Sequence, residues 1–287
     1  MRYLRPKTAA EAAQWLADEP GVTRVLAGGT DVLVQLKAGT VEPDLIVDIK
    51  AIDGMRAITA EAGGFRIGAA VAGAELGAHA GVRALWPGVV ESCELIGSTQ
   101  VQGRATMAGN LCNGSPAADS VPALVAAGAV ARIVGPNGTR DVPVQDIPTG
   151  PGRLSLTKGE IITSILLPAR PARSGDAYLR FIPRTEMDIA VASAGVSLTL
   201  DAAGRIIAAR VAVGAVAPTV RLVAAAGAAL IGTTLDDATL SALMQAASAA
   251  CEPIDDKRGT IAFRTQVAGV LAKRAALIAY SRAGGPK

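Results

Sequence analysis

Two glycine-rich loops constrain this sequence more than any other feature. LAGGTD (26–31) and ATMAGN (105–110) each set glycine and threonine beside apolar residues. Neither has the GxGxxG spacing of a Rossmann turn or the GxxxxGK[ST] spacing of a phosphate loop, so a phosphate group would need another kind of cradle. Glycines at a strand end permit positive φ and close approach, so that successive backbone N–H groups can point at the pyrophosphate of a dinucleotide without a nearby lysine. In the first loop Gly28 and Gly29 free the backbone and Thr30 adds a hydroxyl. A plain tight turn is the alternative reading of a strand that ends in two glycines.

The second loop, within RATMAGNLCNGSPAADSVPAL (104–124), gathers Thr106, Gly109, Asn110, Asn113, Gly114, Ser115 and Asp119 around a helix start. Ser115 and Pro116 read as its N-cap and first residue. A capping-box acid would fall at residue 118, which is alanine. Asp119, one place later, is free to accept from the hydroxyls of a sugar-like chain. Alternatively it serves only the first turn, where the macrodipole favours an acid.

Around these loops, strand and helix patterns alternate. TAAEAAQWLADEP (8–20) reads as a helix capped by Thr8, TRVLAGG (23–29) as a strand, DVLVQLKAG (31–39) as a helix and DLIVDI (44–49) as a strand. Residues 1 to about 55 thus form a small α/β lobe. A second lobe, 56–174, contains GFRIGAAV, helical AGAELGAHAGV and WPGVVESCELIG, a hairpin turned at PNG, and the strand EIITSILLP. PARPARSGD (168–176) has linker composition, which puts a domain boundary near 174. Beyond it, DIAVASAGVSLTLD and RIIAARVAVGAVAP read as antiparallel strands joined at AAG. Three helical stretches follow, at 220–232, 237–252 and 260–281, and the last few residues, AGGPK, read as a short low-complexity segment. The predicted class is α+β, with a domain at 1–174 and a second at 175–287.

Composition narrows the function. A length of 287 residues suggests two domains, and no run approaches the roughly 18 apolar residues of a membrane helix. The first residues lack a signal peptide's apolar stretch and cleavage site, so a cytoplasmic location is the default. A net charge of +3, no basic run, and only two Trp, three Tyr and three Phe argue against nucleic acid. Cys93, Cys112 and Cys251 form no CxxC pair and cannot alone ligate an iron–sulfur cluster or structural zinc. The single histidine, His79, reads as a surface or packing residue and cannot anchor a His-based metal site. Redox chemistry here would rest on an organic cofactor.

Four ordered segments carry a resemblance over essentially the whole chain: LAGGTDVLVQLKAG, IGSTQVQGRATMAGNLCNGSPAADSVPALVAAGA, EIITSILLP and YLRFIPRTEMDIAVASAGVSL. Together they resemble the FAD-binding medium subunit of the molybdenum hydroxylases, a family that includes xanthine dehydrogenase and carbon monoxide dehydrogenase. The resemblance implies a two-lobed FAD-binding domain of the vanillyl-alcohol oxidase (PCMH) type and a C-terminal domain of sheet plus helices. It implies that Ala27, Gly28, Gly29, Thr30 and Asp31 meet the FAD pyrophosphate, with further contacts from Thr106, Ala108, Gly109 and Asn110. Asp119 matches the family's flavin-side carboxylate, Ile161 and Ile162 match residues near the ring system, and Arg180 falls where many members have lysine. Two departures stand out. Ala108 replaces a frequent glycine, and Arg180 keeps the charge of lysine without its compact ammonium. Arg184, Glu186 and Asp188 complete a charged cluster with Arg180, which is either surface pairing or a flavin or partner contact.

The function so implied is electron transfer. Substrate would be hydroxylated at a molybdenum cofactor in a large subunit. Electrons would pass through two [2Fe-2S] clusters of a small subunit, and FAD here would hand them to NAD, quinone or oxygen. No catalytic or metal-ligating residue is expected in this chain. The rivals are a stand-alone FAD oxidase or reductase and a flavin-free assembly scaffold.

Overall fold

Apolar runs punctuated by glycine become strands and the alanine-rich runs become helices in the computed structural model, which describes residues 1–285. The first 55 residues build a parallel sheet from β1 (Arg2–Leu4), β2 (Thr23–Leu26) and β3 (Leu45–Asp48), in the order β1-β3-β2. Between them run α1 (Ala9–Asp18) and α2 (Val32–Lys37). β3 is buried along its whole length, as a central parallel strand should be. Thr8 caps α1 by accepting from the Glu11 N–H, while the Glu11 carboxylate accepts from the Lys7 N–H.

The second sheet is antiparallel, in the order β4 (Ile58–Glu61), β5 (Gly64–Gly68), β10 (Ile161–Leu167), β6 (Val130–Gly135) and β7 (Gly138–Pro143). Six helices fill the excursion from β5 to β6: α3 (Gly73–Ala78), α4 (Ala80–Leu85), α5 (Pro87–Glu94), α6 (Thr99–Gln102), α7 (Met107–Cys112) and α8 (Ser120–Ala127). A small hairpin, β8 (Pro148–Gly150) and β9 (Arg153–Leu154), precedes β10. Both sheets share one core, in which Leu16 and Val47 join Leu111, Leu124, Ile133 and Ile165.

A second core lies under the antiparallel sheet β11 (Ser174–Phe181), β12 (Ala192–Leu200), β13 (Ile206–Gly214) and β14 (Arg221–Leu222). It is covered by α9 (Ala224–Leu230), α10 (Asp237–Ala249) and α11 (Ile261–Arg282). The small side chains Ala268, Ala272, Ala275, Ala276 and Ala279 are fully buried on α11. They let the helix lie so close to the sheet that a Cβ on Gly175 would stand 1.9 Å from the Ala279 carbonyl oxygen. No helix among the described residues is long and apolar enough to cross a membrane.

The PNG hairpin and the β12–β13 pair form as expected, but three local readings change. Residues 174–176, read as linker, open β11, because the Asp176 charge that suggested solvent is buried against Arg170. The helix expected to start at Pro116, capped by Ser115, starts instead at Ser120. Ser115 Oγ only closes a turn to the Ala117 N–H, while Asn110 Oδ1, reaching from α7, accepts from both the N–H and the hydroxyl of Ser120. The stretch at 220–232 begins as β14 before α9. Of the AGGPK tail, Gly285 donates to the Tyr280 carbonyl, and the last two residues lie outside the described residues.

The two cores meet at a buried ion pair. Arg170 Nη1 lies 2.8 Å from Asp176, with side-chain exposures of 6% and 5%. The guanidinium stacks 4.2 Å over Trp86, and the second Asp176 oxygen accepts from the Val89 N–H. Arg282 of α11 donates to the Asp176 carbonyl and pairs with Glu91 of α5. Breaking such a pair strands a buried charge at a cost of roughly 3–5 kcal/mol. Arg170→Met is therefore expected to lower the urea-unfolding free energy by about 3 kcal/mol at pH 7. Arg170→Met/Asp176→Leu should recover part of that loss, because neither charge remains.

Candidate functional site

Beyond β2 the chain turns through the first glycine-rich loop into α2. Gly29 adopts φ +83°, and a Cβ on Gly28 would lie 1.8 Å from the Arg104 carbonyl oxygen. Glycine at 28 thus lets this loop touch the backbone that leads into the second one. There Thr106 caps α7, its Oγ1 accepting from the Gly109 N–H at 2.9 Å. Ala108 sits in the first turn of α7 without positive φ, so alanine is unstrained there.

These elements enclose a cavity of about 520 Å³, within the size range of small-ligand sites. Residues 27–31 form one wall, and Thr106, Ala108, Gly109 and Asn110 a second. Ile161 and Ile162 of β10 contribute from the sheet, just before a bulge at Thr163. A further wall, which the sequence reading missed, comes from the turn at Gly152 with Leu154, Leu156 and Lys158. Arg24 of β2 adds a second cation to the lining. No motif marks the residues of that further wall, and only the return of the chain towards β10 brings Gly152, Leu154, Leu156 and Lys158 here. Among the described residues, the backbone N–H groups of Gly28, Gly29, Thr30, Asp31, Val32 and Ala108 have no protein acceptor.

Behind the first loop stands a brace that the sequence did not announce. Lys50 Nζ donates to the Ala27 carbonyl at 3.0 Å and pairs with Asp48 at 2.8 Å. Tyr3 donates its hydroxyl to the other Asp48 oxygen. Burial acts to raise the Asp48 pKa, but the hydrogen bonds from Lys50 and Tyr3 prevail and hold it below the usual carboxylate range.

Asp119 and Arg180 do not line the cavity; they bind each other at 2.7 Å, with side-chain exposures of 11% and 5%. Tyr178 donates its hydroxyl to the remaining Asp119 oxygen at 3.0 Å. Burial pushes the Asp119 carboxyl up to about 6, outweighing the opposing pull of Arg180 and Tyr178. Arg184 and Asp188 belong to a separate, more exposed network that includes Arg258. His79 caps α4 through Nδ1 and packs edge-on against Phe65. Cys112 also lines the cavity, its thiol pushed up to about 12 by burial.

Residues 1–170 match the family described as the FAD binding domain in molybdopterin dehydrogenase, and residues 177–279 match the CO dehydrogenase flavoprotein C-terminal domain. The chain belongs to this family of flavoproteins. It is similar to the carbon monoxide dehydrogenase medium chain of Afipia carboxidovorans, with 32% identity over 281 residues covering 98% of this chain and 97% of that one. The xanthine dehydrogenase FAD-binding subunit of Escherichia coli O157:H7 is 33% identical over 285 residues, covering 99% and 97%. A crystal structure of a Cu,Mo-CO dehydrogenase matches with a TM-score of 0.94 at 32% identity, covering 98% of each chain. The protein is thus an FAD-binding medium subunit of the molybdenum hydroxylase family.

The buried carboxylate gives this medium subunit a testable pH dependence. Asp119 titrates near 6 when folded and near its ordinary value, about 3.9, when unfolded. Between these values the native state keeps a proton that the unfolded chain has lost, so this group's contribution to stability falls as pH rises through the window. From pH 4 to 7 the wild type should lose on the order of 2 kcal/mol relative to Asp119→Asn in urea unfolding. A relative gain would mean that attraction to Arg180 outweighs desolvation.

Proposed function

We propose that the cavity holds FAD and that the bound cofactor passes electrons between partner subunits and an outside acceptor. The observation that carries this reading is the run of amides at residues 28–32, joined by that of Ala108, without protein acceptors beside a cavity whose lining mixes apolar side chains with the cations Arg24 and Lys158. Amides left without partners are costly unless an acceptor reaches them, and a diphosphate supplies several oxygens at once. Glycine at 28 keeps the two loops together around that group, since a Cβ there would meet the Arg104 carbonyl and force them apart.

In this assignment Ala27, Gly28, Gly29, Thr30 and Asp31 hold the pyrophosphate by their backbone, with Lys50 fixing the Ala27 carbonyl from behind. Thr106, Ala108, Gly109 and Asn110 form the opposing side, and Ile161 and Ile162 offer apolar surface to the ring system. Asp119 and Arg180, spent on each other, act at one remove by tying the start of α8 to β11. FAD, when bound, accepts electrons singly and releases them as a pair, while the protein supplies position and electrostatics. A large molybdenum-cofactor subunit and a small iron–sulfur subunit are the partners of this reading. The electrons come from the [2Fe-2S] clusters and leave to NAD, quinone or oxygen.

Two experiments test the proposal. Gly29→Val puts a β-branched residue at φ +83°, with its Cβ 3.0 Å from side-chain carbons of Leu26 and Leu33. Such a conformation is an outlier for valine, and the purified variant is expected to lose the flavin absorption bands; normal flavin content in a folded variant would remove this loop from the site. In the isolated wild-type chain, dithionite should bleach the bound flavin, whereas xanthine, an aldehyde or carbon monoxide should not. Co-expression with the partner subunits should confer substrate-dependent bleaching. Substrate-driven reduction by the lone, metal-free chain would favour a stand-alone flavoenzyme.

A further inference from the structure

We infer that Asn113 is a positioning residue that clasps two walls of the cavity together, so that retention of FAD depends on it although it follows the ATMAGN motif. The inference rests on the FAD reading above and adds to it a residue that holds the two cradle loops in mutual register.

Asn113 stands at the C-terminal end of α7, in the cavity lining, and spends both ends of its side-chain amide on the opposite wall. Its Nδ2 donates to Asp31 Oδ1 at 3.2 Å, and its Oδ1 accepts from Gln35 Nε2 at 3.4 Å. One side chain of the second wall thereby binds the last residue of the first loop and the helix that follows it. The next residue secures the third wall. Gly114 adopts φ +66°, its carbonyl accepts from the Gly152 N–H at 2.9 Å, and a Cβ there would be 3.0 Å from the Gly152 Cα. The Gly152 turn leads directly to Leu154 and Leu156 of the cavity lining.

Asp31 shows why a donor is required at 113. Although it occupies the N-cap position of α2, its side chain makes no capping bond. Burial raises its pKa, and a carboxylate beside a diphosphate site adds repulsion. The Asn113 amide engages that carboxylate and holds it towards α7. Asp31 thus serves the site in two ways, with a backbone N–H open to the ligand and a side chain that ties the loops.

The test is a reciprocal exchange in the full chain, freed of flavin and titrated with FAD by fluorescence quenching, together with the FAD dissociation rate. Asn113→Asp sets two carboxylates against each other and should raise Kd at least about tenfold, with a matching rise in dissociation rate. The pair Asp31→Asn/Asn113→Asp restores a donor facing an acceptor in the reverse sense, keeps the Gln35 bond and returns the net charge to that of the wild type. Its Kd should come back to within about threefold of the wild-type value. A folded Asn113→Asp that binds FAD like the wild type, or a folded exchange variant no better than the single one, overturns the clasp. Should Asn113→Asp fail to fold, Asn113→Ala is read in the same way: weaker, faster-dissociating FAD supports the clasp and an unchanged Kd overturns it. A wild-type chain that does not bind FAD instead overturns the FAD reading itself.

Discussion

The contact between Gly28 and the Arg104 carbonyl is the constraint around which the site is arranged. With only 1.8 Å available to a Cβ, glycine is the residue that lets the two loops meet backbone to backbone. The contact joins the parallel sheet of the first 55 residues to the helical excursion of the second sheet. It turns the starts of α2 and α7 towards one cavity. Amides that would otherwise need capping side chains are left open, and the brace from Tyr3 through Asp48 and Lys50 holds the first loop from its far side.

The junction between the two cores follows a different logic, close approach combined with buried charge. Pro122 of α8 abuts Gly195 of β12 and Gly214 of β13, where a Cβ would fall 2.6 Å from its atoms. On either side of this contact lie the ion pairs Arg170–Asp176 and Arg180–Asp119, each joining the first core to β11. Burial raises both carboxyls. Buried pairs are poor sources of net stability but demanding in geometry, so they suit a junction that must dock in one orientation. Asp119 therefore serves this junction first, and reaches the cavity through the α7–α8 segment that it anchors.

Where the signal was local, sequence and structure agree. Thr8 caps α1, PNG turns the β6–β7 hairpin, and the apolar runs around AAG pair as β12 and β13. The family's own motifs likewise led to the walls at 27–31 and 106–110, since glycine and threonine at a strand or helix end have few backbone roles. Other readings failed because the deciding partner was a side chain outside the segment's own pattern, 10 residues away in one case and 6 in the other. Asn110 displaced Ser115 as the residue capping α8, and Arg170 drew Asp176, apparently a linker residue, into a strand.

The sequence by itself determined most of the elements, the α+β order, the two glycine loops and the membership of a flavoprotein family, because each follows from local pattern or from ordered motifs. The tertiary structure alone decided which side chains meet. It paired Asp119 with Arg180 away from the cavity wall, brought the Gly152 turn in as a further wall, set Lys50 behind Ala27 and placed Asn113 between Asp31 and Gln35. Those contacts join residues 23 to 82 positions apart. They exist only once glycine-mediated backbone contacts and two separate cores have fixed the distance between walls, a quantity that no local pattern of residues encodes.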